Sequence, residues 1–343
     1  MEGHADADVL RDLAELPTVA HPILSPDGER VALYYDDTGR NELHVIDVAT
    51  GERTQWSDGE VPRNARWHLR WGPDGERVFF HDDSAGDEQN DIHALAPEGA
   101  TPVVEMAGQT MLHEVGADGV LFGGTRDGQM NLYRHNFETG DVSKLTDYDR
   151  AVWVGLSSPS GDRIAYATNE TADFDNRDVY VADADGSNPR NLHVGDVGAE
   201  ATPVDWHADG DSLLVADNTE DLGRAGVYDL PGDSIEWYGP LAHEETPVAF
   251  LSDGAVLVTR DREAATVPVV YEGSDGPGRE LELPEGVTTA GMLPKQRVET
   301  ADGRLLLQHT TPTRRPELLA YDRETDEAEV LLPAEYGPFS PVD

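Results

Sequence analysis

The sequence predicts an all-β fold, a seven-bladed β-propeller with a short N-terminal helix, and three observations carry the prediction. A tight turn ending in Gly recurs seven times: Ser25-Pro26-Asp27-Gly28, Gly72-Pro73-Asp74-Gly75, Gly116-Ala117-Asp118-Gly119, Ser158-Pro159-Ser160-Gly161, His207-Ala208-Asp209-Gly210, Leu251-Ser252-Asp253-Gly254 and Thr300-Ala301-Asp302-Gly303. The glycines are 47, 44, 42, 49, 44 and 49 residues apart, the length of a four-stranded blade. The third residue after each Gly is apolar: Val31, Val78, Phe122, Ile164, Leu213, Leu257 and Leu306. Asp or Ser ahead of a Gly that takes positive φ suits a three- or four-residue hairpin loop. A β-sandwich also has hairpins, but not at so regular a period.

Each element follows from this frame. Residues 1–19 read as a helical segment: Asp6 or Asp8 can cap it, Val9, Leu10, Leu13 and Leu16 share one face, and Pro17 ends it. Residues 20–335 hold the propeller. In the first repeat, residues 22–25 form the inner strand, 30–35 the second, 42–48 the third and 53–56 the outer one. Thr50-Gly51 turns the third strand into the fourth, as Thr139-Gly140 and Asp185-Gly186 do later. Third strands recur at 91–95, 131–135, 178–182, 225–230, 267–272 and 317–322, with Pro268 an awkward strand residue because it cannot donate to a ladder. Middle strands are covered on both faces, so near-continuous apolar runs such as Val31-Ala32-Leu33-Tyr34-Tyr35 are expected. The last repeat ends whole with an outer strand at 329–332, which leaves no strand for a latch. Blades one and seven must then close the ring by packing. Residues 336–343 read as the start of a linker.

Composition narrows the function. Among 343 residues there is no Cys, which excludes disulfides and thiolate metal sites. No apolar run is long enough to span a bilayer. The acidic N-terminus lacks the apolar core of a signal peptide, so a cytoplasmic protein without membrane contact is expected. Acidic residues number 68 against 25 basic ones, a net charge of −43, and Lys144 and Lys295 are the only lysines. Disorder is one reading of such a charge. The seven-fold pattern and 38% apolar content argue against it. A nucleic-acid mimic would need its acids in a stripe, and here they are scattered. Adaptation to molar salt fits best, because self-repulsion is screened there over a Debye length of about 3 Å. Nucleic-acid partners are not expected.

Catalytic signatures are missing. Gly155-Leu156-Ser157-Ser158-Pro159 and Gly232-Asp233-Ser234-Ile235-Glu236 lack the closing Gly of a nucleophile elbow. Gly273-Ser274-Asp275-Gly276-Pro277-Gly278 has neither the Lys nor the following helix of a phosphate loop. Asp183, Asp185 and Gly186 loosely resemble a Ca²⁺ loop but lack its downstream Glu, and Asp173, Asp175 and Asp178 are similarly spaced. No cofactor is expected. His21, His68, His81, His93 and His207 fall by turns or strand ends, where ordinary hydrogen bonding is the expected role.

One stretch is distinctive: His81-Asp82-Asp83-Ser84-Ala85-Gly86-Asp87-Glu88-Gln89-Asn90-Asp91-Ile92-His93. Its Gly-x-Glu-x-x-x-Ile pattern resembles a loop in the N-terminal propellers of prolyl-oligopeptidase family serine peptidases, such as acylaminoacyl-peptidases and dipeptidyl-peptidases. The opening helix followed by Ser-Pro-Asp-Gly, Asn131-Leu132-Tyr133, and the stretch from Asn169-Glu170-Thr171 to Asp178-Val179-Tyr180 resemble the same family. The resemblance spans nearly the whole chain. It implies a non-catalytic propeller that gates access and helps to bind short peptides for a C-terminal α/β-hydrolase domain, whose Ser, Asp and His this chain lacks. It also implies that loops between second and third strands face that domain. Glu88 would meet a peptide's amino group and Arg126 or Arg177 a carbonyl or carboxylate, with Gln89, Asn90 and Glu170 in the same loops. Glu244-Glu245 lies between repeats and is not matched to the acidic pair of dipeptidyl-peptidases. Two alternatives stand beside this reading: a free-standing scaffold that binds proteins on its ring face, and a metal-dependent propeller hydrolase.

Overall fold

The computed structural model describes residues 2–83, 89–169 and 176–340. One helix, Glu2–Ala14, precedes strands that fall into successive antiparallel groups of four, called blades 1–7 in chain order. Blade 1 is Val19–Leu24, Arg30–Tyr35, Glu42–Asp47 and Arg53–Gln55, paired in that order. Five such four-stranded sheets stand alone. The last two groups share one eight-stranded sheet, through a parallel bridge between Thr266 of blade 6 and Val287 of blade 7.

The blades stack face to face, so each middle strand feeds two cores. Val31, Leu33 and Tyr35 pack with Leu306, Leu318 and Leu331 of blade 7. The alternate residues, Ala32 and Tyr34, pack with Trp71, Val78 and Phe80 of blade 2. The same sharing recurs between blades 2 and 3, 3 and 4, 4 and 5, 5 and 6, and 6 and 7. The chain of interfaces thus returns to its start, and the ring is closed. All seven apolar residues after the turns are buried. Each such side chain contributes roughly 1.5–3 kcal/mol of burial free energy.

The third strands lie where the sequence placed them, Pro268 included: its carbonyl accepts Leu281 N–H at 3.0 Å. Six of the seven turn glycines take positive φ. Gly119 does not. It is required for another reason, since a Cβ there would lie 1.9 Å from the His135 carbonyl oxygen. The helix begins at Glu2, earlier than a cap at Asp6 or Asp8 would place it.

No strand crosses between blades 1 and 7 among the described residues. Their seam is held by the shared core and by polar ties. Ala301 N–H donates to the Gly28 carbonyl at 2.9 Å. Arg315 donates to the Pro17 carbonyl at 2.8 Å and to the Glu335 carbonyl at 2.8 Å. Tyr35 Oη donates to Glu335 at 3.0 Å.

Candidate functional site

An antiparallel meander gives the ring two unlike ends. Turns between first and second strands and between third and fourth strands lie at one end, the hairpin face. Loops between second and third strands, and the links from blade to blade, lie at the other, the loop face. The candidate residues from the sequence belong to the loop face. Glu88 and Glu170 lie outside the described residues.

Asn90 is fully buried. Its amide donates to the Thr110 carbonyl at 2.6 Å, and Thr110 Oγ1 donates back to the Asn90 carbonyl at 2.7 Å. This geometry corrects the expectation of a substrate-facing Asn90: the side chain ties blade 2 to blade 3 and has no free edge for a ligand. Gln89 Oε1 accepts Gly108 N–H at 3.3 Å beside it.

Arg126 lies over the Tyr133 ring, 5.2 Å from its centre, and 3.8 Å from Asp127. Tyr133 Oη donates to Asp127 at 2.8 Å, and this bond leads in holding the Asp127 carboxyl below its usual range. Burial, helped by the same contact, pushes the Tyr133 hydroxyl up to about 12.

Arg177 pairs with Glu200 and its guanidinium lies 5.8 Å from the centre of the Trp153 ring. Its backbone bonds Ala199 and Ala201, so the loop end of blade 4 is fastened to the entry of blade 5. Trp153 itself is 41% exposed, unusual for so large a ring. Trp67, on the link into blade 2, carries Arg66 on its face at 5.1 Å and leans on His81 at 5.3 Å. The loop face of blades 2 to 4 therefore presents aromatic rings backed by guanidinium groups, a surface able to stack on a planar peptide unit or ring and to meet a carboxylate. The two tryptophans carried no motif: Trp153 is revealed by its exposure, and half-buried Trp67 by the Arg66 and His81 side chains set against it.

Behind this surface lies a group of buried histidines. His68 Nε2 donates to the Leu112 carbonyl at 2.5 Å, His81 Nε2 accepts Leu112 N–H at 2.9 Å, and His113 is buried beside them. Burial holds all three neutral, His81 and His113 with pKa values pushed down to about 3. His21 bonds the Ala65 carbonyl at 3.0 Å and His207 pairs with Asp209 at 2.8 Å. Asp183 and Asp185 accept from Ser187 and Asn188, a closed turn of hydrogen bonds. Glu245, in blade 6, is buried against Arg260 and Tyr271. Among the described residues no group of three His, Asp or Glu is placed to hold a metal ion, and no helix is long and apolar enough to cross a membrane.

No known family profile matches the chain. It is 28% identical to an uncharacterized protein, Atu1656, of Agrobacterium fabrum over 202 residues, 55% of this chain and 67% of that protein. It is 33% identical to dipeptidyl-peptidase 5 of Aspergillus fumigatus over 108 residues, 30% of this chain and 15% of the peptidase. Among solved structures, a prolyl endopeptidase superposes with a TM-score of 0.73 at 14% identity, covering 95% of this chain and 51% of the enzyme. A puromycin-hydrolyzing peptidase of Mycobacterium tuberculosis gives 0.71 at 16% identity, over 93% and 53%. The propeller domain of the Trilobed protease of Pyrococcus furiosus, described as having an open velcro topology, gives 0.67 at 15% identity, over 94% and 99%. The fold is thus a β-propeller like those of prolyl-oligopeptidase family peptidases. The chain spans about half the length of the two full peptidases.

Proposed function

We propose that this chain is the propeller part of a serine peptidase, gating access and helping to hold short peptides for an α/β-hydrolase domain. The observation that carries the reading is the placement of both ends. The first strand leaves the loop face and the last strand, Glu327–Leu332, returns to it. Residues 333–337 then run beside Leu16, Pro17 and Thr18, the link that follows the N-terminal helix, with Arg315 bonding the carbonyls of both Pro17 and Glu335. On that helix Val9, Leu10 and Leu13 are 46%, 67% and 49% exposed. A domain following residue 343 would begin next to this uncovered apolar face, above the loops that carry Gln89, Arg126 and Arg177.

In this reading Arg177 and Trp153 grip the peptide once the second domain excludes water, Glu88 meets its amino group, Arg126 offers a second partner for a carbonyl or carboxylate, and Asn90 holds the frame. The test is the gene beyond the Asp343 codon. A segment bearing Gly-x-Ser-x-Gly is expected there, and the longer protein should cleave short peptides until a serine-directed fluorophosphonate blocks it. An immediate stop codon, with no peptidase co-purifying, would sink the reading. The acidity belongs to a cytoplasm of molar salt. Thermal unfolding should therefore move down steeply when molar KCl is exchanged for dilute buffer.

A further inference from the structure

The inner strand of blade 7 is broken in a way the other blades do not share. Its first part, Val287–Thr289, pairs with the far half of Leu305–Thr311, ending at Thr289 opposite Gln308. The ladder resumes with Leu306 N–H on the Val298 carbonyl and Glu299 opposite Leu305. Residues 290–297 are looped out between these neighbouring rungs.

The loop reaches the inner edges of the other blades. Gln296 Nε2 donates to the Pro22 carbonyl at 3.1 Å and Arg297 to the Pro26 carbonyl at 2.9 Å, both in blade 1. Arg70 of blade 2 donates to the Pro294 carbonyl at 2.8 Å. Lys295 Nζ pairs with Glu114 of blade 3 and donates to the Ser157 carbonyl of blade 4 at 2.7 Å. Lys295 N–H donates to the Val204 carbonyl of blade 5 at 2.7 Å. A Cβ on Gly291 would lie 3.1 Å from Val248 of blade 6. A segment that meets blades on all sides of the ring must cross its axis. Gln296 Oε1 also accepts Met292 N–H and Leu293 N–H, at 3.0 and 3.2 Å, which fixes the loop's own shape.

We propose that residues 290–297 form a hub that closes the hairpin end of the axial channel and does the work of the missing strand latch. The physical need is plain. Inner strands have one edge with no neighbouring strand, so their carbonyls face the axis unpaired by any sheet. The hub supplies donors to those carbonyls from blade 7 and so joins it to blade 1 and, through Lys295, to blades 3, 4 and 5. Glu114 completes the brace, because its other oxygen accepts Ser157 N–H at 2.8 Å. This assignment does not depend on the peptidase reading.

Amide hydrogen exchange on the full chain in molar salt tests it. Three proteins are compared: wild type, Lys295→Met, and a variant in which 291–296 are replaced by two glycines. Inner-strand amides of blades 1, 3, 4 and 5 should exchange at least tenfold faster in the replacement. In Lys295→Met, which keeps the backbone N–H that bonds Val204 of blade 5, the effect should be confined to blades 3 and 4. Outer strands, including Arg53–Gln55 and Val142–Lys144, should keep their rates in Lys295→Met, which stands as the test alone if the replacement does not fold. Unchanged inner-strand exchange overturns the hub. So does a rise equal in inner and outer strands, which any general loss of stability would produce.

Discussion

At the hairpin end of this ring one turn chemistry is repeated almost without change, whereas at the loop end the connections between second and third strands differ widely in length. In six blades the turn Gly N–H returns to the carbonyl three residues back, at 2.9 to 3.1 Å, and only blade 3 departs. At the loop end, blades 6 and 7 join second to third strands through two residues, while the corresponding loops of blades 2 and 4 are far longer. The repeated end serves closure: seven wedges must meet at one radius, so each needs the same bend. The varied end is free of that demand, and there exposed Trp153 and the guanidinium groups of Arg66, Arg126 and Arg177 gather.

The largest way to probe the difference is acid. The unfolded chain binds protons at its histidines near pH 6.5, and folded His68, His81 and His113 refuse them. Stability should therefore be full above pH 6.5 and fall as pH drops toward 3, by about 1.4 kcal/mol per pH unit for each of His81 and His113, with His68 acting in the same direction. Asp205, raised to about 6 by burial, acts oppositely. It is protonated when folded and ionised when unfolded between pH 6 and its ordinary value, so it offsets about one of the three. A urea midpoint that stays flat from pH 7 to 5 would contradict the burial of these histidines behind the loop face.

Next comes a pair of glycines at the hairpin face. Gly28 has φ +78°, and a Cβ there would sit 2.6 Å from Ala301 N and 2.8 Å from the Thr300 carbonyl carbon. Gly161 has φ +74° with nothing within 4 Å. Gly28→Ala should cost about 2–4 kcal/mol, strain plus a wedge in the seam. Gly161→Ala should cost only about 1–2 kcal/mol. Equal losses in denaturant titrations would mean that the blade 1–7 seam bears no special constraint.

Smaller effects separate frame from surface at the loop face. Asn90→Ala leaves the Thr110 carbonyl without its buried donor and should cost about 1–3 kcal/mol. Arg177→Ala breaks a half-exposed pair and should cost less than about 1 kcal/mol. In a peptidase carrying this propeller, Arg177→Ala and Trp153→Ala should weaken peptide binding well beyond their effect on folding, and Asn90→Ala should not. Isothermal titration beside thermal melts distinguishes the two outcomes.

How much of this was legible in the sequence follows the same division. Turns that repeat can be counted, and strands that feed two cores are apolar throughout, so residues such as Val31 and Leu213 announced their places. The helix was visible from its apolar spacing, though not the exposure of that face, which depends on what else is nearby. Asn90 looked like any loop amide, because nothing local shows that Thr110 waits across a blade boundary. The hub left only a faint trace: the last interval, 49 residues, is longer than most. An equal interval between Gly161 and Gly210 comes from the long blade 4 loop, so length alone does not say which end of a blade has grown.

The hub grips main chain more than side chains. Pro22, Pro26, Ser157 and Val204 are met at their carbonyl oxygens, groups that every amino acid carries. Substitutions along those inner strands leave the points of attachment in place. The inner wall can therefore drift in sequence while the arrangement survives, with the burden of invariance falling on the side chains that make the bonds, Arg70, Glu114, Lys295, Gln296 and Arg297.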